Sequence, residues 1–254
     1  MQIEPGHIDE IPGGPEQLFG LHDATYDFES VRLAMRTSDN FVGPSGQIPL
    51  GTLGTAVDFA LGFALIMHRP EDHWSVSVEI TIDGHAPIPR SGLLVATGHA
   101  VHHDEHGAFA VGEVRTEAGD LIATASQRGR YIHAPGRQGG GRNQVEIPDD
   151  ADLVALLGID LDTGQMLVQP HLGNPLGNLH GGVSLAAVDL VAEHVIASGL
   201  RTQSIHLTYP RSAPLGSTIE YLAQVEHRGR SLATAAITGT VAGRITNLAR
   251  VTQA

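Results

Sequence analysis

The chain has 254 residues, of which 41 % are hydrophobic and 4 % aromatic, and it contains no cysteine. This length suits one large or two modest domains, and the missing cysteines exclude disulfide scaffolds, thiolate nucleophiles and cysteine-based zinc sites. A formal net charge of −13 argues against a general nucleic-acid-binding protein. Residues 1–10 lack a signal-peptide pattern, and the longest apolar run, Val57 to Met67, is too short to cross a bilayer. We therefore expect a cytoplasmic protein that contacts neither nucleic acid nor membrane.

The sequence consists of two copies of one unit. A shift of 131 residues places Gly51 on Gly182 and Asp58 on Asp189. Similarity over so much of the chain indicates two similar domains, and the Pro-, Gly- and Arg-rich stretch between them is typical of a linker. The predicted boundaries are residues 1–133 for the first unit, 134–145 for the linker and 146–254 for the second unit.

Both copies have the same predicted order of elements: a short helix, a strand, a long helix and four further segments with strand character. The long helices are apolar nearly all round, which predicts burial inside a wrapping sheet. One helix followed by an antiparallel meander makes each copy an α+β unit. The predicted elements of copy one include a helix near 14–22, a strand at 31–42 and the long helix at about 52–67. Those of copy two are a helix near 151–158, a strand at 165–172, the long helix at about 183–197 and strands at 201–209, 217–227, 231–241 and 244–252.

Asp58 and Asp189 are isolated acids on these apolar helices. A carboxylate is costly to remove from water, so each acid needs either a functional role or a partner that satisfies it. A structural acid bound by a neighbouring backbone group or an arginine is the simpler interpretation. Recurrence of the acid at the equivalent point of both copies favours a functional role.

The glycine pair Gly181-Gly182 is predicted at the amino end of the second long helix. Unpaired N–H groups and the helix dipole favour a developing negative oxygen there. Asp189 lies about 12 Å further along the same helix, at about 1.5 Å per residue, so one carbonyl group cannot contact both. If the two long helices pair antiparallel about a pseudo-twofold axis, Asp58 comes opposite Gly181, and Asp189 comes opposite Leu50-Gly51. Each site is then shared between the copies.

Two other motifs have simpler interpretations. The stretch Gly182 to Ala186 has the G-x-S-x-A form of a nucleophile elbow, but an α/β-hydrolase needs a parallel sheet and a later Asp and His. The run His102 to His106 could suggest a metal site, but it falls at a hairpin turn without the spacing of ligands on a helix. We therefore predict no hydrolase elbow and no metal site.

The second copy carries a specific combination of residues. It consists of Asn174, His180-Gly181-Gly182, Asp189, a strand ending in Leu207-Thr208-Tyr209 and a turn from Arg228 to Leu232. This combination resembles the hotdog-fold acyl-CoA thioesterases, specifically their PaaI-like branch. The first copy keeps the acid but has Gly43, Pro49 and Leu50 where the family pattern has Asn, His and Gly. The resemblance implies an α+β tandem (double) hotdog, in which each unit is an antiparallel sheet wrapped around a central helix.

The resemblance also implies an acyl-CoA thioesterase and a role for each site residue. The Gly181 N–H would hold the thioester carbonyl oxygen, with Asn174 and His180 shaping that loop or contacting the carbonyl. Asp58 would act as general base on water or as nucleophile, and Ser75 would position the water. Coenzyme A would arrive with the substrate, so no cofactor and no metal is implied.

A second, degraded site is expected around Asp189. Its residues would be Asp189, Thr202, Leu50 and Gly51. The isobutyl group of Leu50 would crowd the carbonyl there, and the Asn and His contacts are absent. We therefore expect Asp58 to matter more for turnover than Asp189.

Three residues are candidates for binding the rest of the substrate. Gly182 would let the chain pass close to the ligand, and Arg228 and Arg230 would contact the CoA phosphates or form a solvated hairpin turn. A catalytically silent acyl-CoA-binding hotdog protein and a hotdog enoyl-CoA hydratase or dehydratase are the alternative functions. In each case we expect single chains to associate further into a homo-oligomer.

Overall fold

The computed structural model describes residues 6–8, 11, 13–27, 29–135 and 151–254. Within these ranges the chain folds into one antiparallel sheet of thirteen strands with two long helices packed against it. Most of the predicted linker, 134–145, lies outside the described residues. In the described part of the chain, no helix is long and apolar enough to cross a membrane.

The predicted elements occur in the predicted order in both halves, but the strands β1, β2 and β8 were not predicted, and the first helix ends at Leu18. The strands of the first half are β1 (Gly6–His7), β2 (Leu21–Tyr26), β3 (Val31–Thr37), β4 (His73–Gly84), β5 (Gly92–His103), β6 (Gly107–Thr116) and β7 (Leu121–His133). Those of the second half are β8 (Ile159–Asp160), β9 (Gln165–Leu167), β10 (Thr202–Thr208), β11 (Thr218–Arg228), β12 (Ala233–Val241) and β13 (Arg244–Gln253). The helices are α1 (Pro15–Leu18), α2 (Gly54–Ile66), α3 (Leu153–Leu157) and α4 (Gly181–Ile196). Short 3₁₀ helices span Asp39–Phe41, Leu50–Leu53 and Pro170–Leu172.

The two halves of the sheet join through β4 and β10. The strand order is β1-β2-β3-β5-β6-β7-β4-β10-β13-β12-β11-β9-β8. At the junction Ile80 pairs with Leu207 and Ile82 with Ile205, and all four side chains are buried. The core is therefore continuous between the halves.

The strand order departs from a simple meander in one respect. In each half, the strand that follows the long helix pairs with the last strand of that half, β4 with β7 and β10 with β13. The predicted meander is therefore wrong for this strand. This arrangement places β4 and β10 side by side at the centre of the sheet, where both border the paired helices.

Helices α2 and α4 cross at glycines. A Cβ atom on Gly182 would collide with Gly54 O, and one on Gly51 would collide with Leu185 O. These two close approaches are equivalent under the shift of 131 residues, so the helices pair about a pseudo-twofold axis. Gly182 and the ten residues after it are all buried, as the apolar sequence of α4 predicts. Each fully buried Leu or Val side chain contributes about 1.5–3 kcal/mol to that packing.

The two long helices begin differently. Gly181 is the first residue of α4, and the side chain of His180 caps the helix by accepting a hydrogen bond from Gly182 N. The equivalent segment of the first half, Leu50–Leu53, is a 3₁₀ helix preceded by Pro49, and no side chain caps it. Helix α2 therefore begins at Gly54, two residues later than predicted.

Candidate active site

Asp58, on α2, is surrounded by hydrogen-bond donors from both halves of the chain. Its Oδ1 accepts from Ser77 Oγ at 3.1 Å and from Gln127 Nε2 at 2.9 Å. Its Oδ2 accepts from the backbone N–H of Gly182 at 3.0 Å. Gln127 also donates to Ser77 Oγ at 2.8 Å, which joins the two side chains beside the acid. We call this group, with Gly181 and His180, the Asp58 site; it combines α2, β4 and β7 with the start of α4.

The start of α4 supplies backbone donors to this site. The N–H of Gly181 makes no hydrogen bond to another described residue, as is usual in the first turn of a helix. A Cβ on Gly181 would lie only 2.8 Å from Asp58 Oδ2, so the carboxylate and this turn are in contact. The structure thus brings Asp58 and Gly181 together from opposite halves.

His180 contacts a carboxylate through each of its ring nitrogens. Nδ1 accepts from Gly182 N at 3.0 Å and lies 3.2 Å from Asp58 Oδ2. Nε2 lies 3.6 Å from Glu16 Oε1. Glu16, in α1, is only 3 % exposed, and the sequence analysis assigned it no role. The single signal for Glu16 was an acid within the predicted short helix that precedes the first strand.

Asn174 shapes the loop that leads to the helix. Its Oδ1 accepts from the backbone N–H groups of Leu176 and Asn178, and its Nδ2 donates to Leu179 O at 3.5 Å. All these partners lie in its own loop. Of the two roles predicted for Asn174, shaping the loop agrees with these contacts.

The hydroxyl group that contacts Asp58 belongs to Ser77 and not to Ser75. The strand β4 has a bulge between Ser77 and Glu79, and β10 has the matching bulge after Thr202, so Thr202 is equivalent to Ser77. The sequence alignment placed Thr202 on Ser75, two residues away. A shift of two residues keeps every side chain on the same face of a strand, so alternation of apolar residues could not reveal the error.

Gln127 was also missed by the sequence analysis. It is 1 % exposed and lies on β7, where an alternating strand points it towards α2. The strand registers make Val251 on β13 its equivalent in the second half, so the glutamine is not repeated at this position. Gln253, two residues further along β13, has its Nε2 3.4 Å from Thr202 Oγ1.

The Asp189 site repeats this plan with the halves exchanged. Asp189 Oδ2 accepts from Gly51 N at 2.8 Å, and Oδ1 accepts from Thr202 Oγ1 at 2.6 Å. Asp189 is 0 % exposed, whereas the side chain of Asp58 is 12 % exposed. Burial raises the pKa of Asp189 to about 6, and the hydrogen bonds from Thr202 and Gly51 act in the opposite direction.

Glu193 lies one helical turn after Asp189 and has a matching position in the first half. The shift of 131 residues places Gly62 there, one turn after Asp58. Burial and the nearby Asp189 raise the pKa of Glu193 to about 7, while Ser45 donates to its Oε1 at 2.9 Å. The first half has no side chain at the equivalent position, where a Cβ on Gly62 would lie 3.6 Å from Gln127 Nε2 and 3.9 Å from Asp58 Oδ1.

The predicted phosphate contacts lie far from Gly181. Arg228 is exposed and donates to Val195 O at 2.6 Å, near the carboxyl end of α4. Val195 is fourteen residues beyond Gly181, a distance of about 21 Å along the helix. Arg230 is exposed in the neighbouring turn. The structure thus places both arginines away from the Asp58 carboxylate.

The two alternative motifs are inert in the structure. Ser184 is buried within α4, and every strand pair among the described residues is antiparallel, so the nucleophile-elbow interpretation has no support. The run His102 to His106 spans the β5–β6 turn, as predicted. The described part of the chain has no cluster of three or more His, Cys, Asp or Glu residues placed to hold a metal ion.

Comparison with known families relates both halves to thioesterases. Residues 176–246 match the family model of the thioesterase superfamily. Residues 16–131 match that of the acyl-CoA thioesterase C-terminal domain. The two matches fall in different halves, one around each long helix. No curated protein matches the sequence significantly.

Solved structures share the fold over most of the chain. The 12:0-ACP thioesterase from Umbellularia californica has a TM-score of 0.62 and 11 % identity, over 89 % of this chain and 94 % of that one. An acyl-ACP thioesterase from Bacteroides thetaiotaomicron has a TM-score of 0.59 and 9 % identity, over 87 % of this chain and 96 % of that one. The TesB protein of Mycobacterium avium subsp. paratuberculosis has a TM-score of 0.58 and 10 % identity, over 87 % of this chain and 92 % of that one. At these identities the likeness is one of fold. The family matches go further, because a thioesterase model matches part of each half, and they support a thioester hydrolase.

Proposed function

We propose that the protein is an acyl-CoA thioesterase, built as a tandem hotdog, with its working site at Asp58. The observation that carries the proposal is the position of Asp58 beside the Gly181-Gly182 turn of the other half. The match of residues 16–131 to an acyl-CoA thioesterase domain supports coenzyme A as the thiol. Membership of the PaaI-like branch and the unit boundaries 1–133 and 146–254 remain part of the proposal.

In the proposed reaction the thioester carbonyl lies over the amino end of α4. Its oxygen accepts a hydrogen bond from the Gly181 N–H, and the helix dipole stabilises the negative charge that develops there. A donor placed in this way typically contributes about 10²- to 10³-fold to kcat. Gly182 allows the close approach, because any side chain would collide with α2.

Asp58 provides the second half of the chemistry. As general base it takes a proton from water, whose oxygen bonds to the carbonyl carbon while the carbon–sulfur bond breaks. The departing thiolate then takes up a proton, leaving a carboxylic acid and a thiol. As nucleophile Asp58 would itself bond to that carbon, and water would hydrolyse the resulting anhydride. In either case Ser77 and Gln127 hold the Asp58 carboxylate in place.

A thiol-release assay against a panel of acyl-CoAs tests this function. We expect turnover with at least one acyl-CoA, and the same assay with the matching pantetheine thioesters measures how much the nucleotide contributes. Tight binding of acyl-CoA without thiol release would instead indicate a silent binding protein. Addition of water to an enoyl-CoA would indicate the hydratase alternative.

A further inference from the structure

The first peptide group of α4 is held at both of its polar ends. Tyr209, directly after β10, donates its hydroxyl hydrogen to Gly181 O at 2.8 Å. This carbonyl and the N–H of Gly182 belong to one peptide group and point in opposite directions. The N–H donates to Asp58 Oδ2 on the other side. Tyr209 therefore holds the carbonyl end of this peptide, while Asp58 and His180 Nδ1 hold its N–H end.

The local sequence restrains only the N–H end of this peptide, through His180 Nδ1, and leaves its carbonyl end without a side-chain partner. Two consecutive glycines have much more backbone freedom than other residues, and the first turn of a helix lacks internal partners for its N–H groups. A side chain at Gly181 is not an available restraint, because its Cβ would lie 2.8 Å from Asp58 Oδ2 and 3.3 Å from Tyr209 Oη. A restraint from another element is needed, and the Tyr209 hydroxyl provides one.

The Asp189 site has no tyrosine at the position equivalent to Tyr209. The matching bulges in β4 and β10 make Gly84 the equivalent of Tyr209, and the shift of 131 residues makes Leu50 the equivalent of Gly181. A Cβ on Gly84 would lie 3.0 Å from Leu50 Cδ1, so the leucine side chain occupies the space above Gly84. A small residue in the turn thus occurs with a tyrosine on the strand, and a large residue in the turn occurs with a glycine.

The tyrosine is also in the right protonation state. Burial raises the pKa of Tyr209 well above its usual range, and the nearby Asp58 and Tyr221 act in the same direction. The hydroxyl therefore stays protonated and donates its hydrogen throughout the physiological pH range. A hydrogen bond to the carbonyl end of a peptide also polarises its N–H end, which strengthens the bond to Asp58.

We propose that Tyr209 is a positioning residue that orients the Gly181-Gly182 peptide, and through it the Asp58 carboxylate and the Gly181 N–H. The inference deepens the proposed function and rests on it for its effect on turnover. The orientation of the peptide itself is a structural property that can be measured without any substrate.

The test compares Tyr209→Phe with Tyr221→Phe. Tyr221 is the control, because it is a buried tyrosine whose hydroxyl has no hydrogen-bond partner among the described residues, whereas the partly buried Tyr209 has one. We expect Tyr209→Phe to lower kcat by about tenfold or more with KM changed less than about twofold. We expect Tyr221→Phe to leave both constants unchanged. Thermal melts of the two variants show that each is folded.

A second measurement separates this inference from the proposed function. Amide hydrogen exchange of Gly182, followed by NMR, is expected to be at least about tenfold faster in Tyr209→Phe and unchanged in Tyr221→Phe. If the wild-type protein releases no thiol from any acyl-CoA, the proposed function fails, and the exchange rate still decides the role of Tyr209. Unchanged exchange at Gly182, or equal kcat values for the two variants, would overturn the inference.

Discussion

The Asp58 site and the Asp189 site share a plan but differ in access. Each acid lies on a long helix and accepts a hydrogen bond from a glycine N–H of the other half. Asp58 remains partly exposed, whereas Asp189 is completely buried. The neighbouring positions also differ, because Gly62, one turn after Asp58, is matched by the larger Glu193, one turn after Asp189. We infer that side chains around the repeated acid control its access to a substrate.

Replacing each acid in turn tests most directly whether the two sites differ in activity. We expect Asp58→Asn to lower kcat/KM by about 10²- to 10⁴-fold, because the base or nucleophile is lost. We expect Asp189→Asn to stay within about threefold of wild type, because Asp189 has no access to substrate. Both are measured on one good acyl-CoA, with folding checked by thermal melts. An inactive Asp189→Asn beside a nearly normal Asp58→Asn would reverse the assignment of the two sites.

A second test places the glutamate found at position 193 at the equivalent position 62. Gly62→Glu gives the Asp58 site the residue that fills the Asp189 site, and we expect kcat/KM to fall by about 10²-fold because the substrate is displaced. The control is Gly62→Ala, whose Cβ would meet Gln127 Nε2 at 3.6 Å and Asp58 Oδ1 at 3.9 Å, both ordinary contacts. Activity of Gly62→Ala should remain close to wild type. Full activity of Gly62→Glu would show that the space beside Asp58 is not used.

The buried acids of the Asp189 site should affect the pH dependence of stability. The raised pKa values of Glu193 and Asp189 mean that these two groups bind more protons in the folded protein than in the unfolded chain between about pH 4 and 7. Their contribution to stability therefore falls as pH rises through that window. We expect Glu193→Gln to raise the free energy of unfolding by about 1–3 kcal/mol at pH 8 and by much less at pH 4, because glutamine cannot ionise. Denaturant unfolding at both values measures it, with the exposed Glu71→Gln as control.

The smallest expected effect concerns the arginines at the far end of α4. Replacing Arg228 and Arg230 with Ala is expected to raise KM for acyl-CoA by several fold, about what one or two exposed charge contacts contribute, and to spare the pantetheine thioester. Arg230→Ala alone isolates the phosphate effect, since Arg228 also binds Val195 O. Equal losses on both substrates would exclude a role in binding phosphate.

Much of the fold followed from local pattern. The repeat, the apolar helices and most strand positions were predictable, because the spacing of apolar residues along the sequence reflects which faces are buried. The order of the strands was not, since the pairing of β4 with β7 joins segments distant in sequence. The register of β4 also escaped, and with it the choice between Ser75 and Ser77, because a bulge changes the count without changing the alternation.

The sequence alone determined the two acids, the glycine turn and their juxtaposition, since a repeated unit, a helix rise and an antiparallel pairing together place Asp58 opposite Gly181. Only the tertiary structure decided which side chains complete each site. Gln127, Glu16 and Tyr209 reach the turn from other strands and helices, and no local spacing connects them to it. The physical reason is that such partners are selected by packing around the paired helices, which brings together residues distant in sequence, 28 positions apart for Tyr209 and Gly181 and 69 for Gln127 and Asp58.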